Sequence, residues 1–335
     1  MSKKIAINGF GRIGRNAFKI AFERDDIEIV AINDLTDTKT LAYLLKHDST
    51  YGNYHQEVTY TEDSLVVAGK KIRVLNEKDP SDLPWNELGI DVVVEATGLF
   101  VDPVKARAHI NAGAKKVVIS APAKGEGAKF IVLGVNENTL SRSDEIISNA
   151  SCTTNCIAPI MAILEREFGV EKSMMTTVHS YTASQRLLDS PAKDLREARS
   201  AAENIVPTTT GAAIATAKVI PSLEGKFDGL SVRVPTPTVS LSDITAVLRR
   251  NVSKEEINDL FRRSAREPFY QGILGVTDEP LVSSDFKGSS FSCIIDLNLT
   301  NVVAGNLVKV VAWYDNEWGY SNRLVEIVSD VAANI

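Results

Sequence analysis

The chain has 335 residues, of which 44% are apolar and 24% charged, with a formal net charge of −6. That length allows one or two domains, each with its own core. An acidic chain of ordinary composition argues against a general nucleic-acid binder, which carries a basic face, and no apolar run approaches the ~20 residues of a membrane span.

The first residues, "MSKKIAING", enter a strand pattern at once and lack the apolar centre and cleavage site of a signal peptide. A strand over 3–9 leads into a helix over 11–24, with Ile13, Ala17, Ile20 and Ala21 on one stripe. A second strand covers 28–34, a hairpin 65–75, a buried strand 91–98, a helix 103–114 and another strand 115–122. The runs 130–136 and 145–151 close this half. Short β-branched runs alternating with helical patterns predict parallel strands joined by crossover helices.

The texture changes after Cys152. A helix over 154–169 precedes a strand over 172–182, and a polar connection follows to about 206. The long, turn-separated runs 230–250, 290–305 and 307–316 predict a mostly antiparallel sheet with helices on one face. The tail 319–335 carries Tyr320, Leu324, Ile327, Val328 and Val331 at helical spacing. The expectation is an α/β protein with two domains. A Rossmann-type dinucleotide-binding domain spans 1–150 and is completed by a C-terminal helix, 317–335. An α+β catalytic domain spans 151–316.

"NGFGRIG" supplies Gly9, Gly11 and Gly14 between a strand and a helix, and Asp34 ends the next strand 20 residues beyond Gly14. The expected spacing is about 20. Gly9 permits the tight turn, Gly11 admits a pyrophosphate against the backbone, and Gly14 lets helix and strand pack closely. The helix start supplies N–H groups and a positive dipole end to the phosphates. Asp34 accepts from the ribose hydroxyls and repels a 2′-phosphate, which favours NAD over NADP.

Three cysteines cannot all pair, so the chain reads as reduced and cytoplasmic. The histidines at 47, 55, 109 and 179 show no zinc spacing, and no metal is expected. Cys156 and Cys293 sit in apolar settings and read as packing residues. Cys152 is different: hydroxyls and amides surround it in "SNASCTTNC", just ahead of a helix, where a thiol is expected to ionise more easily. His179, 27 residues on, is the strongest candidate for its base. A dinucleotide unit with a nucleophilic thiol points to aldehyde oxidation. The thiol adds to an aldehyde, the adduct loses hydride, and a thioester remains for water or phosphate to attack.

In order and spacing, "INGFGRIGR", "SNASCTTNC", "HSYT", "PTTTGAA", "RVPTPTVS" and "WYDNEWGYSNR" resemble the phosphorylating glyceraldehyde-3-phosphate dehydrogenases, from about residue 3 to 330. The resemblance implies oxidation of glyceraldehyde 3-phosphate with NAD and inorganic phosphate to 1,3-bisphosphoglycerate, in a homotetramer. It implies Cys152 as nucleophile and His179 as acid/base. It implies Thr182 and Arg233 at the substrate phosphate, and Ser151, Thr153, Arg199, Thr210 and Gly211 at the attacking phosphate or at the substrate on entry. For NAD it adds Arg12 and Ile13 at the pyrophosphate, Lys78 near the adenine, Ser120 near the nicotinamide and Asn316 at the carboxamide. The chain departs from the common pattern at Ser190, Ala192, Glu197 and Ile214, while Leu188 and Pro191 favour NAD. The alternative is an erythrose-4-phosphate dehydrogenase, whose pattern lacks the "TTTG" found here.

Overall fold

A computed structural model describes residues 2–335. The chain forms two compact units. The first runs to Ile131 and takes in Glu137–Ala150 and Ser321–Ile335; the second comprises Val132–Asn136 and Ser151–Tyr320.

In chain order the first unit contains β1 (Lys3–Asn8), α1 (Arg12–Phe22), β2 (Ile27–Asn33), α2 (Thr38–Lys46), β3 (Val58–Tyr60), β4 (Ser64–Val67) and β5 (Lys70–Leu75). Then come α3 (Trp85–Leu88), β6 (Val92–Glu95), α4 (Pro103–Asn111), β7 (Lys116–Ile119), β8 (Lys129–Phe130) and β9 (Ile146–Ser148). The strands form one sheet in the order β3-β4-β5-β2-β1-β6-β7-β9-β8. Only β3–β4 and β4–β5 pair antiparallel, and the turn joining β4 to β5 is Ala68–Gly69, both at positive φ. The expected strand over 130–136 is confined to Lys129–Phe130, because the chain turns back at Val132 to bond Val135 and Asn136.

Strands β1, β2 and β6 are buried Val/Ile/Ala runs, as a sheet covered on both faces requires. Helix α1 lays Ala17, Phe18 and Ala21 into this core, and the Phe18 ring meets Phe10 edge-on at 5.5 Å. Burying Phe18 contributes about 1.5–3 kcal/mol. The register places Asn8 opposite both Asn33 of β2 and Glu95 of β6. Three polar side chains therefore stand level at the carboxyl ends of these strands. There β2 leaves on one side of β1 and β6 on the other, the crevice where open α/β sheets bind ligands.

The second unit contains α5 (Cys152–Phe168), β10 (Val170–Ser180), β11 (Val206–Thr208), α6 (Ala212–Val219), β12 (Phe227–Val234), β13 (Ser240–Leu248) and α7 (Lys254–Ser264). It continues with β14 (Leu274–Thr277), β15 (Cys293–Asp296), β16 (Asn301–Val303) and β17 (Leu307–Tyr314). The sheet order is β11-β12-β10-β13-β17-β15-β14, with β16 beside β17. Most pairings are antiparallel, but β10–β12 and β14–β15 are parallel. Helix α8 (Trp318–Ala333) begins in the second unit, and from Ser321 onward it belongs to the first. Its Leu324, Ile327, Val328 and Val331 are buried, and Arg24 Nη2 donates to Ser329 Oγ at 3.1 Å. No helix among the described residues is long and apolar enough to cross a membrane.

Candidate active site

In the first unit, the glycine turn is built as its spacing demands. Gly9 has φ +92°, and a Cβ there would lie 2.7 Å from the Thr97 nitrogen. A Cβ on Gly14 would lie 2.1 Å from the Gly9 carbonyl oxygen. Gly11, by contrast, faces open space: a Cβ there meets nothing within 4 Å. Gly11 is the N-cap of α1 with no side-chain cap, and the positive end of a helix dipole suits an anionic ligand.

The Asp34 carboxylate accepts from Phe10 N at 2.8 Å and from Thr36 N at 3.0 Å, tying the glycine turn to the end of β2. Gly9, Gly11, Asp34 and Lys78 line one cavity of about 530 Å³, together with Asn8, Asn33, Thr97 and Phe100. A second cavity of about 380 Å³ along α2, lined by Tyr43, Lys46, His47 and Tyr60 among others, shares none of these residues. A turn that admits no Cβ at Gly9 or Gly14, is open at Gly11 and has an acid at its far side fits a dinucleotide.

The other residues assigned to NAD are placed as follows. The Arg12 guanidinium is 2.8 Å from Asp48 and lies over the Tyr51 ring. Ile13 is in the first turn of α1. Ser120 follows β7, its N–H on Glu95 O at 2.9 Å. Asn316, in the second unit, accepts from Ser240 Oγ at 3.0 Å, and Ser240 Oγ in turn accepts from Ser180 N at 3.1 Å. The cap of α8 is Asp315, which accepts from Glu317 N and Trp318 N.

Behind the nucleotide cavity lies a polar network that sequence reasoning missed. Glu95 accepts from Asn8 Nδ2 at 2.6 Å and from Thr97 N at 2.8 Å, and Thr97 Oγ1 bonds the same carboxylate. Trp85 Nε1 donates to His109 Nδ1 at 3.0 Å. Indole is a donor only, so His109 carries its proton on Nε2, 3.2 Å from Glu95. The available signal was an acid closing the apolar strand "VVVE".

In the second unit, α5 begins one or two residues earlier than expected, at Cys152 itself. Ser151 is its N-cap: the hydroxyl accepts from Thr154 N at 3.0 Å and lies 2.8 Å from Thr154 Oγ1. Cys152 is half-buried and free, whereas Cys156 and Cys293 are buried. The Cys152 sulfur lies 3.5 Å from His179 Nε2. His179 is fixed from strand β10, where it stands directly opposite Arg233 of β12. Its Nδ1 is 2.7 Å from Ser180 O and 2.5 Å from Arg233 Nη1. The ring also meets Tyr314 edge-on at 6.1 Å.

The lowered thiol pKa expected for Cys152 is not found. Burial pushes the thiol up, while Arg233, the Thr153 hydroxyl and the backbone N–H groups of Cys152 and Thr153 pull it down and lose. The helix start acts in the expected direction, but desolvation outweighs it. Burial, helped by the Arg233 charge, lowers His179 from 6.5 to about 3. Burial thus disfavours the charged form of each member of the pair.

The residues expected at the two phosphates divide. Arg233 is beside the pair. Thr182 shares a hydroxyl–hydroxyl hydrogen bond with Ser184 at 3.0 Å and donates its N–H to Gln185 Oε1 at 3.3 Å. The Thr153 hydroxyl is buried on Tyr314 OH at 2.9 Å, and Tyr314 OH also meets Thr177 Oγ1 at 2.9 Å. Arg199 is exposed and ion-paired with Asp189 at 2.8 Å. Thr210 and Gly211 form the start of α6, with Thr210 Oγ1 accepting from Ala212 N at 3.2 Å. Val239, at φ +70°, is a strained β-branched residue whose carbonyl accepts from Ser180 Oγ at 2.7 Å.

Comparison with known proteins shows the family. Residues 3–103 match the family model of the glyceraldehyde 3-phosphate dehydrogenase NAD binding domain, and residues 151–316 match that of its C-terminal domain. A glyceraldehyde-3-phosphate dehydrogenase of Streptomyces coelicolor is 54% identical over 329 residues, 98% of each chain. That of Geobacillus stearothermophilus is 53% identical over 334 residues, 99% of each. Glyceraldehyde-3-phosphate dehydrogenase 2 of Bacillus subtilis is 52% identical over 336 residues, 100% of this chain and 98% of its own. The chain belongs to the glyceraldehyde-3-phosphate dehydrogenase family, a family of oxidoreductases, and NAD is its cofactor.

Proposed function

We propose that this chain oxidises D-glyceraldehyde 3-phosphate to 1,3-bisphosphoglycerate with NAD and inorganic phosphate, through a thioester on Cys152. The observation that carries the reading is the 3.5 Å approach of His179 Nε2 to the Cys152 sulfur at the start of α5.

The glycine turn, Asp34 and Lys78 would hold NAD, with Asn316 supporting the carboxamide. When bound, NAD supplies the hydride acceptor. The chain's own residues do the rest. As Sγ bonds to the aldehyde carbon, Nε2 of His179 holds the proton taken from the thiol. The developing oxyanion faces the Cys152 N–H and the imidazolium. His179 returns the proton to that oxygen, completing a thiohemiacetal. When the adduct gives up its hydride, Nε2 takes the hydroxyl proton and the thioester remains. A phosphate oxygen attacks the thioester carbonyl, the C–S bond breaks, and His179 reprotonates the sulfur. Arg233 and Thr182 would hold the substrate's phosphate. Thr210, Gly211 and Arg199 would serve the attacking one, once Arg199 exchanges Asp189 for it. A planar guanidinium suits both.

The first unit is then the NAD-binding part and the second the catalytic part of a cytoplasmic homotetramer. Support for self-association comes from Leu187, Leu188, Leu195, Ile205 and Ile214, all exposed large apolar side chains in or next to one segment. The test is NADH formation from glyceraldehyde 3-phosphate with and without inorganic phosphate. Formation should require phosphate and vanish in Cys152→Ser. Phosphate-independent turnover, or a higher kcat/KM for erythrose 4-phosphate, would overturn the assignment.

A further inference from the structure

Four donors converge on one buried carboxylate behind the nucleotide cavity. Glu95 Oε2 accepts from Asn8 Nδ2 at 2.6 Å and from His109 Nε2 at 3.2 Å. Its Oε1 accepts from Thr97 N at 2.8 Å and from Thr97 Oγ1. The bonds continue beyond Asn8. Asn33 Nδ2 donates to Asn8 Oδ1 at 2.7 Å and to Glu77 O at 2.9 Å, and Asn33 Oδ1 accepts from Glu77 N at 2.9 Å. On the other side, Thr97 Oγ1 accepts from Leu99 N at 3.0 Å. Asn8, Asn33, Glu77, Thr97 and Leu99 all line the cavity, as does Lys78 next to Glu77. Glu95, His109 and Trp85 are buried behind it.

This chain of bonds has one permitted direction. The Trp85 indole can only donate, so His109 must accept on Nδ1 and carry its proton on Nε2. A carboxylate can only accept, so Asn8 must turn Nδ2 toward Glu95 and Oδ1 toward Asn33. Asn33 must then turn Nδ2 toward Asn8, which leaves its Oδ1 for Glu77 N. Two amides on the cavity wall are thus oriented from the interior.

We propose that Glu95 is a positioning residue for NAD, backed by His109: it holds Thr97 on one side of the cavity and, through Asn8 and Asn33, the Glu77–Lys78 segment on the other. This rests on the reading that the cavity holds NAD and says what keeps it in shape. Glu95 and His109 do not line the cavity themselves and act through residues that do. His109 also meets the ring of Phe100, a lining residue, edge-on at 6.3 Å.

Filling space does not explain this arrangement. A carboxylate is far costlier to bury than an apolar side chain of its size, and here every lone-pair position is spent on a donor. What the carboxylate adds is direction. Glu95→Gln keeps the shape and replaces one acceptor oxygen by an NH2 group. Turned toward Asn8 and His109, that group meets two donors. Asn8 must then reverse its amide and Asn33 must follow, which sets its oxygen against Glu77 O and its nitrogen against Glu77 N. Turned toward Thr97, the group meets Thr97 N. Either way one wall of the cavity is released.

The test measures NAD binding to the full-length protein by calorimetry. Glu95→Gln should raise the Kd for NAD about tenfold, the loss of one hydrogen bond to a charged group. KM for NAD should follow, with kcat at saturating NAD within about twofold. Asn8→Asp alone sets two carboxylates face to face and should also weaken binding. The double variant restores the direction. Its new amide donates to the new carboxylate, which also accepts from Asn33 Nδ2 and is in reach of His109 Nε2, 3.3 Å from the Asn8 nitrogen in the wild type. It should bind NAD more tightly than either single variant, a coupling that a merely space-filling residue does not produce. Additive losses, or wild-type affinity in Glu95→Gln, overturn the proposal.

A wild-type measurement stands even if Glu95→Gln folds poorly. In 15N NMR the His109 ring should carry its proton on Nε2, and a proton on Nδ1 alone overturns the chain of bonds. Wild type that binds no NAD removes the reading of the cavity along with the proposal. Equal binding by wild type and Glu95→Gln removes the positioning role alone.

Discussion

Gly11 and Gly14 sit three residues apart in one turn, yet their replacement by alanine should fail in different ways. At Gly14 the new methyl would lie 2.1 Å from the Gly9 carbonyl oxygen, a backbone atom that cannot rotate aside. Helix α1 must move off β1, and overpacking of this kind costs about 1–3 kcal/mol. For a unit of this size that lowers Tm by roughly 2–12 °C. At Gly11 the backbone is already at φ −72° and the methyl meets nothing within 4 Å. Reduced freedom of the unfolded chain adds about 0.4–1 kcal/mol of stability, offset by about 1 kcal/mol for alanine as an N-cap. The net change is within about 1 kcal/mol. The same methyl, however, stands in the cavity where a pyrophosphate must approach the helix N–H groups. Losing one charge-assisted hydrogen bond there is worth about 1.5–3 kcal/mol, a rise in the Kd for NAD of roughly 10–150-fold. Thermal unfolding without NAD and calorimetric titration with NAD separate the two effects. Gly11→Ala that binds NAD like wild type, or that loses as much stability as Gly14→Ala, would refute the reasoning.

Other consequences can be checked as directly. Ser151→Ala removes the cap of α5 and should cost about 1 kcal/mol, with slower alkylation of Cys152; an unchanged Tm contradicts the capping assignment. Asp34→Asn should raise the ratio of NADP to NAD turnover, and a constant ratio would remove Asp34 from discrimination. Iodoacetamide should label native Cys152 well before Cys156 or Cys293, both buried, and peptide mapping that finds equal labelling contradicts this. Because the folded state keeps His179 neutral down to about pH 3, only the unfolded chain takes up that proton as pH falls below 6.5. Stability is full above that value and is lost below it. Between pH 7 and 5.5, denaturant unfolding should show wild type losing about 1 kcal/mol more than His179→Gln, and parallel curves would contradict the depressed value.

The alternating strands and helices of the first unit and the glycine turn were legible because each rests on local pattern: β-branched runs, a 3.6-residue stripe, fixed glycine offsets. So was the polar setting of Cys152 at a helix start, which includes the Ser151 cap. The direction of its pKa was not, because a helix start is a local feature and desolvation comes from packing with β10 and β17, remote in sequence. Thr153 reads as a free hydroxyl beside the nucleophile, and only the fold reveals that Tyr314, far along the chain, takes it. Glu95, His109 and Trp85 form their network through sheet register, which no single segment encodes. Helix α6, "AAIATAKV", has no charged face until Lys218 and gives little amphipathic signal. The approach of Arg233 to His179 depends on the pairing of β10 with β12, which sequence spacing cannot express.

The account depends most on covalent chemistry at one sulfur. The direct measurement is the mass of the protein after mixing with glyceraldehyde 3-phosphate and NAD in the absence of phosphate, followed by peptide mapping. An acyl group of one substrate on Cys152, discharged when phosphate is added, is the predicted result. An unmodified Cys152 in protein that has formed NADH would contradict it.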